Sequence, residues 1–165
     1  MYEYAPRNEK RRERQIALCL GIVGMASFVT SFLDKTLLFF LFRILSYVLL
    51  VTTAVIVGRY LSRRYSYRVA PREGGDILGN DLTITEYVNK RKRVVCRISV
   101  EDIAKIERVT EKNRKAVFKD ARGNRIYRYT DCMGYENTYL LWTVDGEETV
   151  CVLILADERL LSYLG

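Results

Sequence analysis

Two apolar stretches separated by two charged residues decide how this chain is built: IALCLGIVGMASFVTSFL (16–33), then Asp34 and Lys35, then TLLFFLFRILSYVLLVTTAVIVG (36–58). A helix of eighteen residues spans about 27 Å, which is close to the thickness of a bilayer's hydrocarbon core. The first stretch carries no charge, and the second carries only Arg43. Because the polar break is so short, the pattern predicts a tight transmembrane helical hairpin with spans 16–33 and 36–58.

The first stretch is not typical of a cleaved signal peptide. Signal peptides have an apolar region of about 7 to 15 residues followed by a small-residue cleavage motif. Here the apolar run is longer, no A-x-A-like site follows it, and a second apolar stretch comes at once. We therefore expect both spans to be retained.

Basic residues flank the hairpin at both outer ends and predict its orientation. EKRRER (9–14) precedes the first span, and RYLSRRYSYR (59–68) follows the second. Positive residues near span ends are retained in the cytoplasm. The sequence thus predicts a multi-pass protein of the cell (plasma) membrane with both termini cytoplasmic. It would have a basic N-terminus (1–15), the hairpin (16–58) and a cytoplasmic domain (59–165).

Small residues line one side of the first span. Leu20, Gly24, Ser27 and Ser31 recur at helical spacing, and small side chains let helices approach closely. Two interpretations stay open for this transmembrane contact. The residues could seat the helix of a partner, as in a dimer, or they could pack against the second span of the same chain, which we favour.

Arg43 is the one charge inside the second apolar stretch. A charge at mid-bilayer costs about 2.5 to 3.5 kcal/mol on insertion scales and often marks a functional position. Arg43 follows Thr36 by about 10 Å of helix, so its side chain could snorkel to the outer headgroups or pair with Asp34. A functional contact is the alternative.

After Gly58 the spacing of apolar residues changes from helical to strand-like. Alternation of apolar and polar residues predicts strands, and longer segments with a central turn predict hairpins. The predicted strands are YSYRV (65–69), LTITEYV (82–88) and VVCRI (94–98). The segment IAKIERV (103–109) suits a turn that leads into a strand. The segment AVFKDARGNRIYRY (116–129) is predicted as a hairpin around 121–124.

The last part of the chain gives the clearest pattern. TYLLWTVDGEETVCVLILA (138–156) is predicted as a hairpin, because its Asp-Gly pair (145–146) suits a tight two-residue turn. The unbroken apolar run VCVLIL (150–155) predicts a strand that is buried on both faces. ADERLLSYLG (156–165) predicts a short helix capped by Asp157. Seven or eight short antiparallel strands of this kind favour a closed or folded-over sheet.

The order of these segments resembles a known architecture over essentially the whole chain. A helical hairpin is followed by a Y-x-Y strand (65–67), an L-x-I strand (82–84), a basic turn (90–93), RISVEDIAKIE (97–107), a late hairpin and a Leu-rich helix. This order is similar to that of an uncharacterised two-span family of small bacterial membrane proteins with a pleckstrin-homology-like (PH-like) domain. The resemblance implies a membrane α-helical hairpin plus a mainly-β cytoplasmic domain, a PH-like split β-barrel with a C-terminal helix. Eukaryotic relatives hold phosphoinositides with basic loop residues, but nothing in this sequence secures that role.

The composition argues against catalysis. The chain has no histidine, which removes the commonest general base and metal ligand. Its four cysteines lack C-x-x-C spacing and are expected to be reduced. GGDILGND (74–81) lacks the ending of a phosphate-binding loop, and Cys132 in TDCMGYEN (130–137) has no histidine to activate it. We therefore expect no catalytic residue, no metal and no cofactor.

KRKR (90–93) is predicted on a turn between two strands, close to an anionic leaflet. Each basic residue near such a surface contributes about 1 kcal/mol of attraction, which falls off within a Debye length. Seven residues are predicted to contact anionic lipid at the membrane surface: Lys90, Arg91, Lys92, Arg93, Arg59, Arg63 and Arg64. A turn that is simply solvated is the open alternative. Because aromatic residues are not interleaved with this block, no nucleic-acid partner is expected.

These observations predict a non-enzymatic integral membrane protein whose cytoplasmic PH-like domain acts as a binding or scaffolding module at the membrane surface. The alternative is an accessory subunit of a membrane transport or envelope-synthesis complex. Such a subunit would contact partners through its transmembrane helices, at Gly24, Ser27, Ser31 and Arg43. The expected partners are the lipid bilayer, anionic lipid headgroups, and a membrane or cytoplasmic protein.

Overall fold

The computed structural model describes residues 1–6, 10–32, 37–72, 79–146 and 148–165. The chain forms two compact units, of which Asn8–Arg63 is helical, while Met1–Arg7 and Arg64–Gly165 together form a mainly-β unit. The N-terminal residues, expected as part of a basic tail, are therefore built into the β unit.

Two long helices make up the helical unit. They are α1, Arg11–Thr30, and α2, Leu37–Ile56, which continues as a π-helical turn, Val57–Leu61. Segments Arg12–Thr30 and Phe40–Leu61 are long and apolar enough to cross a membrane, as predicted. In the most apolar 18-residue stretch of each segment, only 17% of the first and 11% of the second is buried. The core helix of a soluble protein is, in contrast, mostly buried.

Helix α1 begins at Arg11 rather than at Ile16. The additional residues, RRERQ (11–15), are all good helix formers. Glu13 lies in the first turn, where a carboxylate interacts favourably with the positive end of the helix dipole. The polar flank therefore extends the helix beyond its apolar part.

Within the described residues, the β unit contains eight strands, two short α-helices and a 3₁₀ turn, Val100–Asp102. Their bounds are β1 Tyr2–Tyr4, β2 Arg63–Pro71, β3 Asn80–Val88, β4 Arg91–Ser99, β5 Ile103–Val109, α3 Arg114–Asp120, β6 Arg125–Arg128, β7 Thr138–Asp145, β8 Glu148–Leu155 and α4 Glu158–Leu164. The strands form two four-stranded sheets, ordered β1-β2-β3-β4 and β5-β7-β8-β6. The predicted number of seven or eight strands and the terminal helix are confirmed, but in the described part of the chain the sheets do not close into a barrel.

One strand pair breaks the predicted antiparallel pattern. Strand β6 runs parallel to β8, with Arg125 opposite Val150 and Arg128 opposite Leu153. A parallel pair requires a crossover rather than a tight turn. Strand β7 lies between β6 and β8 in the chain and provides this connection. The element before β6 is helix α3, so β6 is not the second arm of a hairpin.

The predicted hairpin at 116–129 is wrong, because its first arm is helix α3. Thr110 and Asn113 start the helix: the Asn113 Oδ1 accepts from the Thr110 backbone N–H at 2.7 Å, and the Asn113 backbone N–H donates to the Thr110 Oγ1 at 3.3 Å. Val117 and Ala121, one helical turn apart, are the buried residues of this segment. Apolar residues four apart also satisfy a period of two, and over so short a segment the two periods cannot be told apart.

The core lies in layers on either side of the second sheet. Val150, Val152 and Ile154 of β8 join the cluster that includes side chains of β2, β3 and β4. Cys151 and Leu153 join the cluster that includes Val117 and Ala121. The prediction that this strand is buried on both faces is confirmed.

Strand β1 connects the beginning of the chain to its end. It pairs antiparallel with β2, with Glu3 opposite Arg68. The Tyr2 hydroxyl donates to Asp157 Oδ2 at 2.7 Å, and the Tyr2 ring stacks on Tyr163 at 5.4 Å. The other carboxylate oxygen of Asp157 accepts from the Leu160 backbone N–H at 2.8 Å, which confirms the predicted helix cap.

The hydroxyl of Tyr67 joins the two sheets. Tyr67 belongs to β2, is fully buried, and its hydroxyl donates to the backbone carbonyl of Tyr129 while it accepts from the Leu155 backbone N–H at 3.2 Å. A second hydrogen bond between the sheets runs in the other direction: the Tyr129 hydroxyl donates to the carbonyl of Val95 in β4 at 3.5 Å. Burial raises the pKa of Tyr67 well above its ordinary value.

Replacement of Tyr67 by Phe should destabilise the β unit by about 2 to 4 kcal/mol, because it leaves the Leu155 N–H and the Tyr129 carbonyl without this partner. Urea unfolding of the full chain in nonionic micelles, followed by the fluorescence of Trp142, measures the change. Tyr163→Phe is the control, since the Tyr163 side chain is 46% exposed. An unfolding free energy of Tyr67→Phe within about 0.5 kcal/mol of the wild type would contradict the assignment.

Alkaline pH should weaken the same junction. Burial raises the pKa of Tyr129 from 10.0 to about 12. A group with a raised folded-state pKa stabilises the protein fully below its unfolded pKa, and this stability is lost as the pH rises through the folded pKa. The urea midpoint should therefore fall between pH 10 and about 12, and fall less in Tyr129→Phe than in the control Tyr127→Phe. Equal losses in both variants would count against this explanation.

Candidate membrane-surface site

The basic block forms the tip and the first part of a β-hairpin. Val88 pairs with Arg91, so Asn89 and Lys90 form a two-residue turn between β3 and β4. Asn89 has a φ of 54°, a left-handed conformation that such turns require and that Asn tolerates well. Lys90, Arg91, Lys92 and Arg93 are all exposed. We call residues 87–93 the basic hairpin.

The charges of the basic hairpin are not neutralised locally. None of its four basic side chains makes an ion pair with a described residue. The Lys92 ammonium lies 5.9 Å from the centre of the Tyr87 ring, to which it is directly opposite in the ladder. Four adjacent positive charges are therefore available to an external anion.

The other three predicted basic residues lie where the chain passes from α2 into β2. Arg59 is in the π-helical turn, with its guanidinium 5.7 Å from the Tyr60 ring. Arg63 begins β2, and Arg64 follows it with an exposed side chain. Arg59 and Arg63 belong to the helical unit and Arg64 to the β unit.

Lys10 is a basic residue of this region that the sequence did not single out. Its ammonium donates to the backbone carbonyls of Tyr60 and Arg63. Carbonyls at a helix C-terminus lack intrahelical partners and carry the negative end of the dipole, so a cation is favoured there. Lys10 thus ties the residue before α1 to the end of α2.

Gly24 of α1 packs against the second helix of the same chain. A Cβ atom added to Gly24 would lie 3.2 Å from Leu50 Cδ2 and 3.3 Å from Leu49 Cβ. Ser31 is 1% exposed and donates to the carbonyl of Phe28 at 2.6 Å, while Ser27 is half-buried. At Gly24 the contact is thus with the second helix of the same chain.

The side chain of Arg43 binds the C-terminal end of α1. One of its terminal nitrogens donates to the Ser31 carbonyl at 3.2 Å, and its guanidinium lies 4.9 Å from the centre of the Phe32 ring. Ser31 is the C-cap residue of α1, so a cation here interacts with the negative end of the helix dipole. The predicted pairing with Asp34 lies outside the described residues.

A second basic surface was missed because its segment was predicted as a hairpin. Backbone hydrogen bonds of helical type run from Thr110 to Arg122 around α3. The exposed cations of this segment are Lys112, Arg114, Lys115, Lys119 and Arg122. They lie on the outer side of the second sheet, away from the first sheet, and Arg114 pairs with Glu111 at 3.3 Å. We call these five residues the α3 basic surface.

Two of the four cysteines have thiols with raised pKa values. Burial raises the pKa of the Cys96 and Cys151 thiols, which lowers their thiolate content and hence their nucleophilicity. The Cys132 thiol donates to the Gly134 carbonyl at 3.2 Å. In the described part of the chain, no group of three or more His, Cys, Asp or Glu side chains could hold a metal ion.

Comparison of this chain with protein-family models, with curated proteins and with solved structures gave no match. Its function is therefore inferred from the geometry.

Replacement of Gly24 by Leu should push α1 and α2 apart, because the added side chain meets Leu49 and Leu50. Overpacking of this kind costs about 1 to 3 kcal/mol. Spin labels at the exposed positions Leu18 and Val55, in a chain whose cysteines are changed to Ser, report the helix separation. We expect a longer or broader distance for Gly24→Leu and no change for Ala26→Leu, whose site is exposed. Identical distances in both variants would contradict the packing assignment.

Proposed function

We propose that this chain is a non-enzymatic integral membrane protein: two helices cross the cell membrane, and a PH-like domain binds or scaffolds partners at the cytoplasmic surface. The observation that carries the proposal is the pairing of β1 with β2. Strand β1 precedes α1, and β2 follows α2.

This pairing requires both ends of the helix pair to lead into one folded domain. A chain that leaves the domain, crosses a bilayer and returns must cross it twice, because a strand cannot pair with another across the hydrocarbon core. The β1–β2 ladder thus supports a two-span hairpin with both its outer ends on one side. It argues against a single-span anchor or a removable leader.

The distribution of charge supports the cytoplasmic side. Basic residues adjoin both ends that lead into the domain: Lys10, Arg11, Arg12 and Arg14 at α1, and Arg59, Arg63 and Arg64 after α2. Positive residues close to span ends are retained in the cytoplasm. Both termini would then be cytoplasmic.

The PH-like assignment has support in the order of strands β2 to β8 and in the terminal helix α4. Such a domain has two sheets packed over one core. Here Leu160 and Leu164 of α4 are buried in that core. The added strand β1, the helix α3 and the parallel pair of β6 with β8 are departures from it.

Contact between the domain and the bilayer is assigned to the basic hairpin. Its four cations are exposed and have no ion pair with a described residue. Near an anionic leaflet each contributes about 1 kcal/mol of attraction. The domain would thus be held at the surface, with its remaining faces available to a protein partner.

Photo-crosslinking of the full chain in nanodiscs tests this contact. A benzophenone amino acid replaces Lys90 at the hairpin tip, and lipid adducts are counted by mass spectrometry. We expect several-fold more adducts in discs with phosphatidylglycerol than in phosphatidylcholine alone. The excess should disappear in about 1 M salt, where the Debye length is about 3 Å.

Two triple variants with equal charge loss separate the basic hairpin from overall charge. R91Q/K92Q/R93Q should reduce the adducts to the phosphatidylcholine level. K112Q/K115Q/K119Q on the α3 basic surface should leave them unchanged. Equal yields in both lipids, or equal losses in both variants, would overturn the assignment of the basic hairpin.

A further inference from the structure

A polar depression of about 200 Å³ lies on the outer face of the first sheet, opposite the face that packs in the core. It is lined by residues from all four strands, and its charged residues are Glu3, Arg68, Asp81, Lys92 and Arg97. Pockets for drug-sized ligands measure about 300 to 1,000 Å³. The depression therefore suits a small group.

Two hydroxyl groups belong to the base of the depression. Ser66 and Thr85 line it and are only 3% and 6% exposed. The structure gives neither side chain a hydrogen bond to any other described residue. A serine or threonine hydroxyl can donate one hydrogen bond, so both groups can donate to a ligand in the depression.

Three cations surround these hydroxyls. Arg97 is directly opposite Thr83 in the ladder, and Lys92 is opposite Tyr87, so the two cations lie on either side of Thr85 along the strands. Arg68 approaches from β2. None of the three makes an ion pair with a described carboxylate.

The two carboxylates of the depression have different effects. Asp81 pairs with Arg72 at 3.2 Å and is thereby neutralised. Glu3 is opposite Arg68 in the ladder but makes no ion pair with a described residue. Glu3 thus lowers the positive potential from the side of β1, and the cations remain in excess.

We propose that this depression binds a phosphate monoester group. Such a group carries close to two negative charges and has three terminal oxygens that accept hydrogen bonds. Arg68 and Arg97 supply guanidinium donors, which match phosphate geometry, while Lys92, Ser66 and Thr85 supply the remaining donors. Both a soluble metabolite and the headgroup of phosphatidic acid carry this group. Phosphate binding here does not require the basic hairpin to touch the bilayer.

Titration of the full chain in nonionic micelles with inorganic phosphate, followed by isothermal calorimetry, tests the site. We expect saturable binding that Arg97→Gln weakens about ten-fold, since a charge-assisted hydrogen bond contributes roughly that factor. Glu3→Gln should strengthen binding several-fold, because it removes the opposing charge. Arg108→Gln, at an exposed residue of β5 in the other sheet, should have no effect.

Phosphatidic acid and phosphatidylglycerol nanodiscs identify the source of the group. If the chain prefers phosphatidic acid to phosphatidylglycerol, loses this preference in Arg97→Gln and binds free phosphate weakly, the site is assigned to a lipid headgroup. Strong binding of free phosphate without a lipid preference assigns it to a soluble ligand. Absence of both, or equal effects of Arg97→Gln and Arg108→Gln, would overturn the proposal. Arg91→Gln leaves the depression intact, so a failed phosphate site and a failed hairpin contact are distinguishable.

Discussion

The hydroxyl of one buried tyrosine links the two sheets of the β unit. Tyr67 reaches from β2 to the backbone of the second sheet, where it satisfies the Leu155 N–H and the Tyr129 carbonyl at the end of the β6–β8 pair. Without this hydroxyl, two backbone groups of a closely packed interior would lose this partner. The Tyr129 hydroxyl in turn donates to the carbonyl of Val95, a residue of β4 that has no partner in the β3–β4 register. This hydrogen bond holds the irregular part of β4 against the second sheet. In the described part of the chain, the two sheets therefore share a core although they do not close into a barrel.

The helix pair is an insertion between two neighbouring strands of one sheet. In an ordinary hairpin β1 and β2 would be joined by a few residues, but here the whole of α1 and α2 stands between them. Strand β1 is only three residues long, and its position is fixed by the Tyr2 contacts with Asp157 and Tyr163. The β unit is thus completed by residues from both sides of the helices. A fragment that begins after α2 lacks one of its edge strands.

The positive charge of the chain is distributed over separate surfaces with different neighbours. The basic hairpin and the polar depression share Lys92 and lie on the first sheet, whereas the α3 basic surface covers the opposite side of the second sheet. A flat membrane can contact only one of these two sides at a time. The block KRKR is conspicuous in the sequence because its charges are contiguous. Arg68 and Arg97 are far apart in the chain, and pairing through β3 brings them together, so no sequence pattern marks the depression.

The sequence by itself determined the features that depend on local pattern. These are two helices with the length and apolarity of spans, most strands, the doubly buried β8, the Asp157 cap and the turn that carries KRKR. Each follows from the periodicity of burial or from the backbone preference of a few adjacent residues. Tertiary structure alone decided the place of β1, the helical state of α3, the parallel pairing of β6, the cap on α1 by Arg43 and the residues of the depression. Most of these depend on contacts between residues that are distant in the chain. The helical state of α3 depends on packing against the second sheet, because its apolar spacing fits both a helix and a strand.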